Sequence, residues 1–76
     1  MSEIEAVKEI ISEILEKYPK ARKIAVENFL ASSIGYDYNS QISNLELDAN
    51  LYKWNRTTIK AIAEGLHIMH KRGLLK

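Results

Sequence analysis

The stretch from Trp54 to Leu75 constrains the fold more than any other segment, because both ends and one face of a helix can be recognised in it. Asn55 suits the N-cap position, since its side-chain oxygen can accept from the free N–H groups that open a helix. Gly73 can take the left-handed conformation that closes a helix, just after Lys71 and Arg72, whose charges suit a helix C-terminus. Apolar residues recur between these ends at steps of three and four, on one predicted core face: Ile59, Ile62, Ala63, Leu66 and Met69.

The opposite face of this predicted helix is basic and carries Arg56, Lys60, His67 and Lys71, with Glu64 among them. The whole chain has a net charge of only +1, yet residues 51–76 hold six Lys and Arg residues against one Glu. A basic surface of this kind can act locally on an anionic partner even though the whole chain is nearly neutral.

The length of 76 residues predicts one domain, spanning residues 1–76, whose core is so small that a homodimer is a reasonable expectation. The chain has no cysteine, which rules out disulfides and thiolate metal ligands and is compatible with the cytoplasm, where we expect the protein to be. It has no long apolar run and no signal-peptide pattern, so we expect neither a membrane span nor export.

A first helix is predicted to begin at the capping-box pair of Ser2 and Glu5 and to end before Pro19, after about four turns. Its apolar residues step by three and four along a single face: Ile4, Val7, Ile11, Ile14 and Tyr18. The spacing also fits a coiled-coil pair, but so short a repeat favours an ordinary core face.

A second helix is predicted from Pro19, which suits a first helical turn, to Gly35, which would close it. Its expected core residues are Ala21, Ile24, Ala25, Phe29 and Leu30. Lys20, Arg22 and Lys23 lie at the end of this helix that disfavours cations. We interpret them as a solvated basic surface, with a partner site as the alternative.

Residues 36–44 are rich in turn formers and predict a polar connection. In it, Tyr36 and Tyr38 would either lean onto the core edge or stack on a partner. Residues 45–54 alternate apolar and polar residues as a strand does, but their Leu, Glu and Ala content and the capping-box pair of Ser43 and Glu46 favour a short helix. We therefore predict an all-α domain of three to four helices.

With that short helix in place, residues 44–73 resemble a helix-turn-helix. Ala49 supplies the small residue where the first helix crosses the second, and Lys53 takes the turn position usually held by glycine. The apolar positions of the motif are matched by Tyr52, Trp54, Ile59 and Ile62. The opening at residues 55–58 is similar to that of many recognition helices, and residues 66–75 look like the recognition-helix end of winged-helix proteins. Residues 54–59 also resemble winged-helix modules of small phage regulators and replication proteins. No residues for a wing follow Lys76, so we expect a wingless module.

This resemblance implies sequence-specific binding of double-stranded DNA by a small transcriptional regulator, from a virus or mobile element. A recognition helix places its N-terminal residues at base edges in the major groove, where Arg56 would reach guanine O6 and N7. The full predicted DNA-contacting set is Lys53, Asn55, Arg56, Thr57, Thr58, Lys60, His67, Lys71 and Arg72. The alternative is a helical module that binds or inhibits a partner protein without binding DNA.

Other functional sites are not expected. His67 and His70 are three residues apart, but neither a cysteine nor a suitably spaced acidic residue accompanies them, so we expect no metal. The serines and carboxylates form no nucleophile–base or paired-acid pattern, and the three glycines are scattered singly. We therefore expect no enzyme, no cofactor and no small-molecule substrate.

Overall fold

Four α-helices make up the fold in the computed structural model, which describes residues 2–76. They are α1 (Glu3–Lys17), α2 (Lys23–Ser32), α3 (Tyr38–Tyr52) and α4 (Arg56–Lys71). No strand occurs within the described range, so the all-α prediction is confirmed, including the helical state of residues 44–52. α4 lies at the centre and packs against the other three helices, whereas α3 packs against α4 alone.

α1 forms as predicted, except at its first turn. The backbone N–H of Glu5 donates to Ser2 Oγ at 3.2 Å, and the helix ends two residues before Pro19. Its apolar face is buried inside the domain, which confirms the core interpretation over the coiled-coil one. Ile4 is 61% exposed, so its predicted place in the core is wrong, because burial along α1 begins one turn later at Val7.

α2 begins four residues later than predicted. Residues 19–20 form a turn instead, in which the N–H of Ala21 donates to the carbonyl of Tyr18 at 3.0 Å. The later start leaves Val26, Phe29 and Leu30 as the buried face of the helix. Ile24 is 69% exposed, so its predicted core position is also wrong.

α3 is longer than predicted, because residues 38–44 are its first two turns and not a connecting loop. The N-cap is Asp37, whose carboxylate accepts from the N–H of Ser40 at 3.0 Å, so the predicted capping role of Ser43 is wrong. The buried Gln41 side chain donates to Ser33 Oγ at 2.8 Å. The start of α3 is therefore held by polar contacts, which apolar spacing does not reveal.

α4 matches the prediction closely. Asn55 Oδ1 accepts from the N–H of Thr58 at 3.0 Å, and Gly73 has the expected positive φ of 78°. Of the predicted core residues, Ile62, Leu66 and Met69 are buried, whereas Ile59 and Ala63 are half-buried, because the buried face is turned toward Thr58, Ala61 and Gly65. Gly65 allows α2 to approach, because a Cβ atom there would lie 2.5 Å from Leu30 Cδ1.

The segment after α4 folds back onto the start of α3. Leu74 and Leu75 are buried in the core. The N–H of Gly35 donates to the carbonyl of Leu74, and the N–H of Lys76 donates to the carbonyl of Tyr36, both at 2.9 Å. These bonds fix the end of the described chain against the connection between α2 and α3.

Candidate nucleic-acid interface

A three-residue turn, residues 53–55, joins α3 to α4. Lys53 closes α3 in the left-handed conformation, with φ of 57° and ψ of 44°. This is the backbone shape that a glycine would adopt without steric cost, whereas a residue with a Cβ atom adopts it at a cost of about 1–2 kcal/mol. The turn therefore has the left-handed geometry even though its residue is lysine.

Aromatic contacts hold this turn in place. The Trp54 ring meets the edge of Phe29 with a centroid separation of 6.2 Å and stacks on Tyr52 with a separation of 5.7 Å. Since Phe29 belongs to α2 and Tyr52 to α3, Trp54 connects both helices to the residues that open α4.

The loop between α1 and α2 is bonded to the first turn of α4. Asn55 Nδ2 donates to the carbonyl of Lys20 at 3.3 Å, and the N–H of Arg22 donates to Thr58 Oγ1 at 2.8 Å. The Thr58 hydroxyl also contacts Asn55 Oδ1. The side chains that cap α4 therefore also fix the loop that carries Lys20 and Arg22.

These contacts place Lys20 and Arg22 beside the start of α4, where the chain itself carries Lys53, Arg56 and Lys60. Together with Lys23, the residue after Arg22, these cations form what we call the basic cluster. Its six members are all exposed: Lys20, Arg22, Lys23, Lys53, Arg56 and Lys60. None of them forms an ion pair within residues 2–76. A concentration of unpaired cations at one end of a domain produces a local positive potential that attracts anions.

Half of the basic cluster comes from residues that sequence reasoning left out of the DNA-contacting set. Lys20, Arg22 and Lys23 are exposed, as a solvated surface requires, but the backbones of Lys20 and Arg22 are bonded to the side chains of Asn55 and Thr58 at the start of α4. The hydrogen bond from Arg22 to Thr58 spans 36 residues, so no local pattern could predict it. The only signal was their position at the helix end that disfavours cations.

Two predicted contact residues have structural roles instead. Thr58 is fully buried, so its predicted contact with DNA is wrong, because its hydroxyl is enclosed between α4 and the α1–α2 loop. Asn55 is exposed, but both polar atoms of its side chain are already engaged, by the cap of α4 and by the Lys20 carbonyl. Of the opening residues, Arg56 is exposed and Thr57 is half-buried.

The basic stripe along α4 is exposed as predicted, at Arg56, Lys60, His67 and Lys71. Its two ends are far apart, since the 15 steps from Arg56 to Lys71 extend about 22 Å at 1.5 Å per residue. His67, Lys71 and Arg72 therefore lie away from the basic cluster, on the second half of the helix.

Glu64, the acidic residue of this stripe, is bound to α1. Its carboxylate accepts from Lys17 Nζ at 2.9 Å and from the Tyr18 hydroxyl at 2.9 Å. The hydrogen bond from Lys17 and, to a smaller extent, the one from Tyr18 lower the pKa of the Glu64 carboxyl below its ordinary value. The negative charge of Glu64 is thus balanced locally by Lys17 and does not neutralise the basic cluster.

One of the two histidines has a packing role. The His70 ring stacks on Tyr38 with a centroid separation of 4.5 Å, and His67 is exposed. Residues 2–76 contain no group of three or more His, Cys, Asp or Glu side chains that could hold a metal ion. Within the same range, no helix is long and apolar enough to cross a membrane.

Comparisons with known proteins assign no family to this chain. No protein-family model, no curated protein and no solved structure matches it. A function is therefore inferred from the basic cluster and from the geometry of α3, the turn and α4.

The buried hydroxyl of Thr58 gives a direct test of how the basic cluster is held together. Thr58→Val keeps the shape of the side chain but removes the acceptor for the N–H of Arg22. A donor left unpaired in the interior costs about 1–3 kcal/mol. Because this bond is only partly buried, we expect a loss of about 1 kcal/mol in the free energy of unfolding, measured by urea denaturation. Thr57→Val is the matched control on the half-buried neighbour, with an expected change within about 0.5 kcal/mol. Equal losses in the two variants would contradict the anchoring role of Thr58.

Proposed function

We propose that this protein binds double-stranded DNA in a sequence-specific manner, as a small transcriptional regulator. The observation that carries the proposal is the basic cluster, in which six exposed cations without ion pairs surround the first turn of α4. DNA is the partner that such a surface suits, because its phosphates supply most of the affinity in protein–DNA complexes.

In the proposed complex, the start of α4 enters the major groove. Arg56 is the first residue of α4 and is exposed, so its guanidinium would bind guanine O6 and N7 in a bidentate manner. Lys60 follows one turn later on the same face, and Thr57 flanks it. The helix N-terminus itself favours the nearby phosphates through its dipole.

The rest of the basic cluster would bind the phosphate backbone. Lys20 and Arg22 approach from the α1–α2 loop, Lys23 from the first turn of α2, and Lys53 from the turn before α4. Contacts of this kind set the position and orientation of a protein on DNA but do not read its sequence. Lys71 and Arg72 lie at the far end of α4 and would contribute less.

A salt titration tests the phosphate contacts. If the six cations of the basic cluster each neutralise one phosphate, the logarithm of the association constant should fall with the logarithm of salt with a slope of roughly −5. Fluorescence anisotropy with mixed-sequence duplex DNA would then show a loss of about a thousandfold between about 50 and 200 mM salt. Mixed sequences suffice, because phosphate contacts do not need the correct operator. Absence of binding at the lower salt concentration would overturn the proposal.

A second candidate function is binding of a partner protein, for which a groove between α2 and α3 is the specific observation. The groove has a volume of about 830 Å³. Its lining is apolar at Ile24, Phe29, Tyr52 and Trp54 and polar at several other residues, which include Arg22, Lys23, Asn44 and Asp48. A hydrophobic groove of this type can receive the apolar face of an amphipathic helix. The second candidate would be supported if the protein does not bind DNA at low salt but binds a helical peptide through this groove.

A further inference from the structure

The groove between α2 and α3 exists because these two helices do not pack against each other. Each of them packs against α4, which leaves a space of about 830 Å³ between them. At one end, the two helices are joined by the hydrogen bond from the Gln41 side chain to Ser33 Oγ. The other end is near the first turn of α4, because the N–H of Arg22 is bonded there to Thr58. A cleft of this volume is within the range of small-molecule sites.

The end of the groove near α4 is positively charged. Arg22 and Lys23 both line it, both are exposed, and neither forms an ion pair in the described part of the chain. A phosphate monoester carries a charge of about −1.5 to −2 at pH 7, which two adjacent cations match, whereas a carboxylate carries a single charge. A guanidinium can also bind two phosphate oxygens at once. This end of the groove therefore suits a terminal phosphate.

Two aromatic rings line the groove beside these cations. The rings of Tyr52 and Trp54 are stacked, with a centroid separation of 5.7 Å and an angle of 24° between their planes. Tyr52 is nevertheless 56% exposed, because Trp54 covers only one of its two faces. The other face is open to a flat ring, and aromatic side chains of this kind stack on unpaired bases.

A carboxylate lies one helical turn further along the groove. Asp48 is four residues before Tyr52 on the same face of α3, is half-buried, and forms no ion pair with any cation of residues 2–76. A carboxylate has two acceptor oxygens and no donor, so it suits a ligand with two adjacent N–H donors. Among the common bases, guanine presents such a pair on its Watson–Crick edge, at N1 and N2. The groove therefore has a feature that selects guanine.

We propose that the groove between α2 and α3 binds a free guanine nucleotide that has a terminal phosphate. The base stacks on Tyr52 and donates from N1 and N2 to Asp48, while the phosphate binds Arg22 and Lys23. From Gln41 to Tyr52, the α3 wall of the groove extends about 16 Å at 1.5 Å per residue, which leaves room for base, sugar and phosphate in line. Duplex DNA does not fit this site, because pairing occupies the Watson–Crick edge of each base.

Trp54 is the only tryptophan of the chain, so its fluorescence reports directly on the groove. Titration without DNA makes the result independent of the proposed function. Guanosine monophosphate should quench this fluorescence and reach saturation below about 1 mM. Guanosine, which lacks the phosphate, and adenosine monophosphate, which lacks the paired donors, should each bind roughly tenfold more weakly, because each leaves charged groups of the site without a partner. Calorimetric titration should give the same affinities without depending on light absorption by the nucleotide.

Asp48→Asn should abolish the preference for guanosine monophosphate over adenosine monophosphate, because the amide replaces one acceptor with a donor. Glu46→Gln is the matched control, since it removes an exposed carboxylate of α3 that does not line the groove. This control should retain the preference of the wild type, and circular dichroism should show unchanged helix content in both variants.

Three results would overturn the inference. The first is the absence of saturable binding of guanosine monophosphate, and the second is equal affinity for all three ligands. The third is an equal loss of preference in Asp48→Asn and Glu46→Gln, because recognition would then not depend on the groove. Tighter binding of a short single-stranded oligonucleotide than of the free nucleotide would overturn the assignment of the site to a free ligand.

Discussion

Replacement of Leu66 with alanine is expected to lower the free energy of unfolding by about 2–5 kcal/mol, the range for a leucine truncated in a packed core. Leu66 has no exposed area and lies in the middle of α4, the helix against which all the others pack. The total stability of a domain of this length is about 4–11 kcal/mol at 0.05–0.15 kcal/mol per residue. This single substitution should therefore remove a large share of the stability, as measured by urea denaturation followed by circular dichroism.

Leu47→Ala is the matched control for that experiment, because it makes the same chemical change at a side chain that is 68% exposed. Its expected effect lies within about 0.5 kcal/mol, as for most substitutions at exposed positions. Equal losses for the two leucines would show that burial against α4 does not determine the stability of this fold.

α1 and α4 could be predicted because their signals are local. Ser2 and Asn55 cap helices through hydrogen bonds to backbone groups three residues away, and apolar residues then repeat at helical spacing. Such features depend only on neighbouring residues, so the sequence alone contains them. The errors at Ile4 and Ile24 arise at helix beginnings, where periodicity continues but the neighbouring helices that would bury the side chain are absent.

The start of α2 could not be predicted, because a distant residue stabilises it. The start of α3 has a local cap at Asp37, but the turn-forming composition of residues 36–44 outweighs that signal. The N–H of Arg22 at the start of α2 is satisfied by Thr58, and Gln41 is buried in α3 by its hydrogen bond to Ser33. In both cases a polar group is paired with a partner that only the folded chain provides.

The candidate site likewise has one part that the sequence predicts and another part that depends on the fold. Arg56 and Lys60 follow from the amphipathic pattern of α4, and both are exposed as expected. Thr58 was misassigned, because a threonine in the first turn of a helix is as suitable for a buried hydrogen bond as for a contact with DNA. Lys20, Arg22 and Lys23 join the site only through the fold of the α1–α2 loop.

Arg56→Ala is expected to weaken binding to the cognate DNA site by about 1–3 kcal/mol, or roughly five- to 150-fold in Kd, if Arg56 binds a guanine as proposed. The loss should be much smaller on mixed-sequence DNA, where the side chain provides at most a phosphate contact. A selection from random duplexes would identify the site, and anisotropy titrations on both kinds of DNA would measure the change in specificity. The fold should be unaffected, since Arg56 is exposed.

Arg72→Ala is the matched control, because it removes the same exposed side chain at the opposite end of α4. If the start of α4 lies in the major groove, Arg72→Ala should weaken binding to all sequences slightly and leave the preference among them unchanged. A larger loss of specificity in Arg72→Ala than in Arg56→Ala would mean that the other end of the helix contacts the bases. Identical small losses in both variants would mean that α4 binds phosphates without reading sequence, and the proposed regulator would then be a non-specific DNA-binding protein.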